Sequence, residues 1–244
     1  FALRWRNPLG TLLCVCAVVL VVATVLLTKS RGGMVSAMLV PGVYVVRRYG
    51  LWALLPGLVL AVSVVVLGGR SGQAASVSTE LRYEAWATGF ALFKASPLFG
   101  VGSGQVVEHH FLTAHNSFVL ALGELGIVGL ILFSMVLYGT MKMLVLGLRD
   151  LARAPGSAVV QVWGMALLAS MCGIVFQINT LSFAYHAVLW LFLGLVGAWY
   201  SAIRHHLPSF RVRLGWLDLA IVTSGCIAYA LVILPVFLRY KGAL

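Results

Sequence analysis

An all-α polytopic membrane protein is the fold class this sequence predicts, and three observations predict it. Of the 244 residues, 61% are hydrophobic and only 9% charged, far from the mix of a soluble domain. Mean hydropathy is +1.03. The apolar residues also gather into runs long enough to cross a hydrocarbon core about 30 Å thick, which takes roughly 20 helical residues.

About seven transmembrane helices are read from those runs, near 10–28, 34–48, 51–68, 117–139, 159–179, 184–203 and 217–238. The second is short and ends at Arg47 and Arg48, whose long side chains can reach an interface. Net charge is +11, but the 17 Lys and Arg sit almost entirely between the runs. They read as headgroup contacts and topology signals; no basic stripe with interleaved aromatics suggests a nucleic-acid partner. Cys14, Cys16, Cys172 and Cys226 all lie inside apolar runs, as small packing residues rather than a disulfide framework or a zinc site. The opening FALRWRNP begins at Phe1 and reads as a basic flank, so residues 1–244 are taken as a single membrane domain from the C-terminal part of a larger polytopic protein.

When the loops alternate across the bilayer, one side collects more Lys and Arg than the other, although the other owns the longest loop. The positive-inside rule makes the richer side cytoplasmic and puts the loop at 69–116 outside. Within that loop STELRYEAWATGFALF predicts a short helix with Thr79 as N-cap and Pro97 as its stop. Arg82, Trp86, Phe90 and Phe93 fall near one face, which suits a helix lying along a membrane surface. The following segment, rich in glycine and polar residues, calls for a functional reason. Pro41-Gly42 and Pro56-Gly57 interrupt two runs alike, as simple kinks or as the broken helices of a transporter.

AHNSFVLALGELGIVG, from Ala114 to Gly129, carries the sharpest chemical signal. A carboxylate at mid-membrane costs about 2.5–3.5 kcal/mol on insertion scales, so Glu124 should face an interior and have a partner. Gly123, Gly126 and Gly129 also allow a plain packing seam there. His115, at the mouth of the run, is either an interfacial histidine beside the N-cap Asn116 or Ser117, or a group that shares a proton and donates to an oxyanion. Arg31 in TKSRGG, and likewise Arg70 and Arg82, are headgroup anchors or donor forks for a phosphate.

Arg31, Arg82 and His115 reach the same side of the bilayer from three segments. Together they suit a lipid pyrophosphate that must be held and then expelled. A hydroxyl acceptor would need a base, for which His115, Glu80 and Glu84 are the candidates. GVGSG at Gly100–Gly104 lacks the strand and spacing of a phosphate loop and reads as flexible. Glu108, His109 and His110 are adjacent and do not converge on a metal, so neither a metal nor another cofactor is expected. Gln177, Asn179, Tyr185 and His186 gather at an outer turn, as site lining or as hydrogen-bonded packing.

TKSRGG, LRYEAWATGFALFKASPLFGVGSG, AHNSFVLALGELGIVGLILF and AVLWLFLGLVGAW together resemble the C-terminal half of the O-antigen ligase and Wzy-type polymerase superfamily. The resemblance implies a multi-pass protein of the bacterial inner membrane with its active site facing the periplasm, which passes a glycan from undecaprenyl pyrophosphate to an acceptor. It matches Arg31 to the family's SRG arginine, Arg82 to the arginine of its periplasmic loop helix and His115 to its HN histidine, which makes these three the catalytic candidates. Asn116, Arg70, Glu80, Glu84 and Glu124 are the candidates for substrate binding. Lipid A-core is the first acceptor considered; a carrier-linked repeat would make the protein a polymerase, and a protein acceptor an O-oligosaccharyltransferase. From another class, a transporter of lipid-linked sugars would bind the same donor without forming a glycosidic bond.

Overall fold

The computed structural model describes residues 8–68 and 73–244. Its described elements are all helices joined by turns, and the chain divides into two compact units, Phe1–Ser71 and Gly72–Leu244.

The first unit holds α1 (Pro8–Leu27), α2 (Arg31–Tyr49), one 3-10 turn at Leu51–Ala53 and α3 (Leu54–Gly68). Helix α1 is apolar all round and buries none of its residues, as a span exposed to lipid would. Ser30 starts α2 by accepting the Gly33 N–H at 3.2 Å, which satisfies one of the amides left free at a helix start. The two Pro-Gly pairs are not alike. Pro41 sits inside a helix that continues past it, whereas Pro56 lies in the first turn of α3, where a missing N–H leaves no bond unmade.

The second unit holds α4 (Gln73–Ala95), α5 (Gln105–His109), α6 (Ser117–Leu151), α7 (Ala158–Gln177), α8 (Ala187–His206) and α9 (Trp216–Tyr240), the last with a π turn at Tyr229–Ile233. Helix α6 is its axis, packed by α4, α7, α8 and α9. Leu122, Leu130, Leu144, Met171, Leu189 and Ile203 are among the residues of the continuous core around it.

Five helices among the described residues are long and apolar enough to cross a membrane: α1, α6, α7, α8 and α9. They coincide with five of the seven expected spans. The runs at 34–48 and 51–68 are helical too, but α2 is diluted by glycines, Arg47 and Arg48, and α3 has only 15 residues.

Helix α4 corrects two expectations. It begins at Gln73, so Thr79 lies inside it instead of capping it, because the polar stretch before Thr79 is helical as well. It ends at Ala95, two residues before Pro97, as expected. Phe90 and Phe93 are buried in the core, and Trp86 packs on Phe237 of α9 with centroids 5.5 Å apart. The apolar face of α4 is therefore directed at the bundle instead of a lipid surface. It packs tightly on α6 at Gly89 and Gly123, where a Cβ added to Gly123 would stand 2.8 Å from the Gly89 carbonyl oxygen.

Helix α6 breaks at Gly126, whose φ of 67° and ψ of −167° are open to glycine and to few other residues. A break inside a membrane helix leaves backbone groups that must find partners in the protein. Here the segment 97–102 supplies them. Val101 and Gly102 donate to the carbonyls of Gly123 and Glu124 at 3.3 and 3.0 Å, while Ile127 and Val128 donate to those of Pro97 and Leu98 at 2.9 and 3.2 Å. The GVGSG stretch is thus bonded by its backbone to α6 at its first residues, a correction to the flexible loop expected. Gly100, Gly102 and Gly104 take left-handed φ values that let it turn there.

Candidate active site

At the start of α6 the chain makes a sharp entry. His115 is left-handed, with φ of 46°, which is unusual for a residue other than glycine and marks a strained position. Asn116 follows in an extended conformation, and its Oδ1 accepts the N–H groups of Phe118 and Val119 at 2.9 and 3.2 Å. Ser117 then ties this entry to the turn between α7 and α8: its N–H donates to Ile178, its hydroxyl donates to Leu181, and it accepts from Phe183 at 2.7 Å. The chain directly after the strained residue is thereby fixed.

His115 faces an open cleft of about 840 Å³. One wall is α4, through Ser76, Val77, Ser78, Leu81 and Arg82; the other is Leu112 and His115. Residues 77 and 81, and 78 and 82, are successive turns of one helix face, so α4 lays Arg82 along the cleft by simple i, i+4 spacing. Burial pushes the His115 pKa down, and the Arg82 charge pushes it the same way. The imidazole is therefore neutral at pH 7, with one N–H to donate and one lone pair to accept. Among the described residues the ion pairs are His110 with Glu84 and Lys142 with Asp218, so no carboxylate neutralises Arg82.

The structure brings Arg82 and His115 together at the cleft; Glu84 is exposed on α4, does not line the cleft and faces His110 at 3.9 Å. Glu80 is exposed on α4 and does not line the cleft. Asn116 is buried and uses its side-chain oxygen as the cap. Arg31 stands exposed at the first position of α2, in the other unit. Arg70 lies outside the described residues.

Glu124 is 1% exposed and sits below the cleft instead of lining it. Its Oε1 accepts the Val106 N–H at 3.1 Å, so the expected partner is backbone. The other oxygen is buried without a hydrogen bond of good geometry, although Tyr185 in the α7–α8 turn feels the carboxylate. Burial first, then Glu124, raises the Tyr185 pKa. His186, from the same turn, caps α8 by accepting the Val188 N–H at 3.2 Å, and Asn179 donates to Val175 at 2.8 Å.

Sequence reasoning passed over Ser76, Ser78, Leu81 and Leu112 as lining residues. The i, i+4 spacing before Arg82 was the available signal for Ser78; Leu112 had none, because its place depends on how the loop folds back. It also passed over His110, weighed only as a metal ligand. Opposite the cleft end of α6, Lys142 meets Asp218 at 2.7 Å and Tyr138 donates to the same carboxylate at 2.6 Å, which pins α6 to α9.

Residues 16–134 match the family model described as O-antigen ligase. The match runs from α1 through the cleft and the break of α6. The chain matches no curated protein and no solved structure.

Proposed function

We propose, from the match of residues 16–134 to the O-antigen ligase family model, that the protein is a lipid-carrier-dependent glycosyltransferase. It moves a glycan from undecaprenyl pyrophosphate to a hydroxyl of lipid A-core at the periplasmic face of the bacterial inner membrane. The observation that carries this reading is Arg82, unmatched by any carboxylate among the described residues, facing a neutral His115 across a cleft at the mouth of a membrane helix.

A sugar pyrophosphate gains negative charge on its bridging oxygen as the sugar–oxygen bond breaks. A guanidinium and an N–H donor aimed at that oxygen stabilise the transition state more than the ground state, which is what catalysis requires. The neutral imidazole suits this, since it donates without repelling Arg82. The open apolar flank of Val77, Leu81 and Leu112 leaves room for the sugar and the start of the lipid. Arg31 enters this reading by its SRG motif alone, as a second candidate donor to the phosphate. No metal or cofactor enters the reaction as proposed.

The test is complementation. The full-length gene is expressed in a bacterium that lacks its own ligase and still makes carrier-linked O-antigen, and lipopolysaccharide is resolved on a gel beside a His115→Ala variant. Long-chain lipopolysaccharide with the wild type and none with the variant is the expected result. Polymerised carrier-linked glycan with nothing on the core would make the protein a polymerase; glycosylated protein would make it an O-oligosaccharyltransferase. Donor moved across the membrane with no new glycosidic bond, and no dependence on His115, would make it a transporter.

A further inference from the structure

The cleft wall on α4 carries two kinds of polar group one turn apart. Arg82 is the charged one, and Ser78, four residues before it on the same face, is the neutral one. A helical serine or threonine with nothing else to bind turns its hydroxyl back to the carbonyl four residues earlier. Thr88, farther along α4, does so to Glu84 at 3.0 Å, and Thr24 and Ser63 do the same in α1 and α3. Ser78 is half-buried and lines the cleft, yet its hydroxyl makes no hydrogen bond to any described residue. It keeps both a donor and an acceptor for what enters.

The course of α4 orders these groups by depth. Gly89 packs on Val119 and Gly123 of α6, and the segment after α4 bonds to α6 about Gly126, so α4 runs into the bundle along its sequence. The path from Gly89 back through Arg82 to Ser78 therefore leads outward, with about 6 Å of helix between the last two. Val77 and Leu81 make a second, apolar stripe beside them in the same cleft.

A carrier-linked donor has a fixed order of its own: hydrocarbon, pyrophosphate, sugar. With the hydrocarbon in the bilayer, the phosphates lie deeper than the sugar. Where Arg82 takes the phosphate, the group one turn farther out meets the sugar. The chemistry matches that order. A phosphate oxygen is best met by a cation, whereas a sugar hydroxyl both gives and accepts a hydrogen bond and is met by a group that does the same. A sugar ring also has an apolar C–H face, which suits Val77 beside Ser78.

We propose that Ser78 is a specificity-determining residue that hydrogen-bonds a hydroxyl of the sugar attached to the pyrophosphate. This rests on the glycosyltransferase reading above and adds to it a subsite for the first sugar of the donor. A site that hydrogen-bonds a substrate hydroxyl discriminates against the analogue that lacks it, because its own group is then left unpaired. In an open cleft water replaces part of the lost bond, which holds the discrimination to about tenfold.

The test uses the full-length protein in lipid nanodiscs, with lipid A-core as acceptor and a synthetic undecaprenyl-pyrophosphate-linked sugar as donor, beside the monodeoxy analogues of that sugar. Wild type, Ser78→Ala and Ser78→Thr are compared by kcat/KM. With the wild type, one analogue should fall about tenfold below the parent donor. Ser78→Ala should lose about as much on the parent donor and no longer tell it from that analogue; Ser78→Thr, which keeps the hydroxyl, should still do so. Undecaprenyl pyrophosphate without a sugar, used as a competitive inhibitor, should bind the wild type and Ser78→Ala equally well. Full activity in Ser78→Ala, unchanged discrimination in that variant, or a loss equal across all donors would overturn the proposal. So would no discrimination by the wild type, or weaker inhibition of Ser78→Ala by the sugar-free carrier, which would put Ser78 on the phosphate. Each of these leaves the glycosyltransferase reading in place, since the wild type still transfers. No transfer by the wild type would overturn that reading, and the proposal with it.

Discussion

The two parts of α6 on either side of Gly126 are held by different means. From Ser117 to the break, the helix is secured by backbone: the segment 97–102 bonds to it on both sides of Gly126, and Ser117 is bonded to the α7–α8 turn. From 127 to Leu151 it is secured by side chains, with Trp199 and Ile203 of α8 lying over Gly147 and Lys142 pinned to Asp218. Backbone interlocks have no rotamers with which to adapt. Side-chain packing does, within limits set by neighbours. The rigid part is also the part that positions His115 and carries the loop of the cleft, which suits a site whose charges must be fixed before reaction.

The largest effect expected is from Gly126→Ala. The new Cβ would overlap the Leu98 carbonyl and sits at a left-handed φ, so a strain of about 1–2 kcal/mol adds to about 1–3 kcal/mol of overpacking. A steep fall in the thermal unfolding midpoint in detergent is the outcome; an unchanged midpoint would mean the interlock yields easily and the contrast fails.

Arg82→Ala comes next. Removal of one charged donor from an oxyanion-type site costs about 10²–10³ in kcat, and here the midpoint of unfolding should hardly move, because no ion pair is lost. Glycan transfer measured beside thermal unfolding separates the two effects. A parallel loss of both would make Arg82 a structural residue.

Gly164→Ala probes the side-chain-held part. Its Cβ would meet the Trp199 indole, which is fixed by a 2.8 Å bond from its Nε1 to the Val160 carbonyl but is still a side chain. A loss of about 1–3 kcal/mol is expected, smaller than for Gly126→Ala, with transfer per folded molecule retained. The reverse order of the two glycines would invert the comparison.

The smallest effect is electrostatic. Burial and the positive charge of Arg82 both disfavour protonated His115. Replacing Arg82 with Gln removes the lesser cause, so the His115 pKa should rise while staying below its ordinary value, as followed by NMR titration of labelled histidine. No rise would place the two groups farther apart than the cleft geometry has them.

Much of the fold was legible because membrane spans are written in composition. The apolar runs at 117–139, 159–179, 184–203 and 217–238 are helices here, since a bilayer imposes length and hydropathy on any segment that crosses it. Where composition is mixed, the reading slipped: Thr79 looked like a cap only because the polar residues before it do not advertise a helix. Phe90 and Phe93 looked interfacial because periodicity says that a face is apolar but not what covers it. For the site, His115 and Arg82 stood out as polar groups beside membrane runs. His110 did not, since its meaning depends on Glu84, 26 positions away in the sequence and 3.9 Å in space.

By itself the sequence determined the class of protein, five of the helices that can span, a cap at Asn116 or Ser117 and the need for a partner at Glu124, all consequences of hydropathy and of local backbone chemistry. Only the tertiary structure decided that α6 breaks at Gly126, that the loop 97–102 satisfies the break, and that α4 sets Arg82 opposite His115 with His110 against Glu84. These are contacts between distant segments, and such contacts are set by what packs against what, which no local pattern in the chain records.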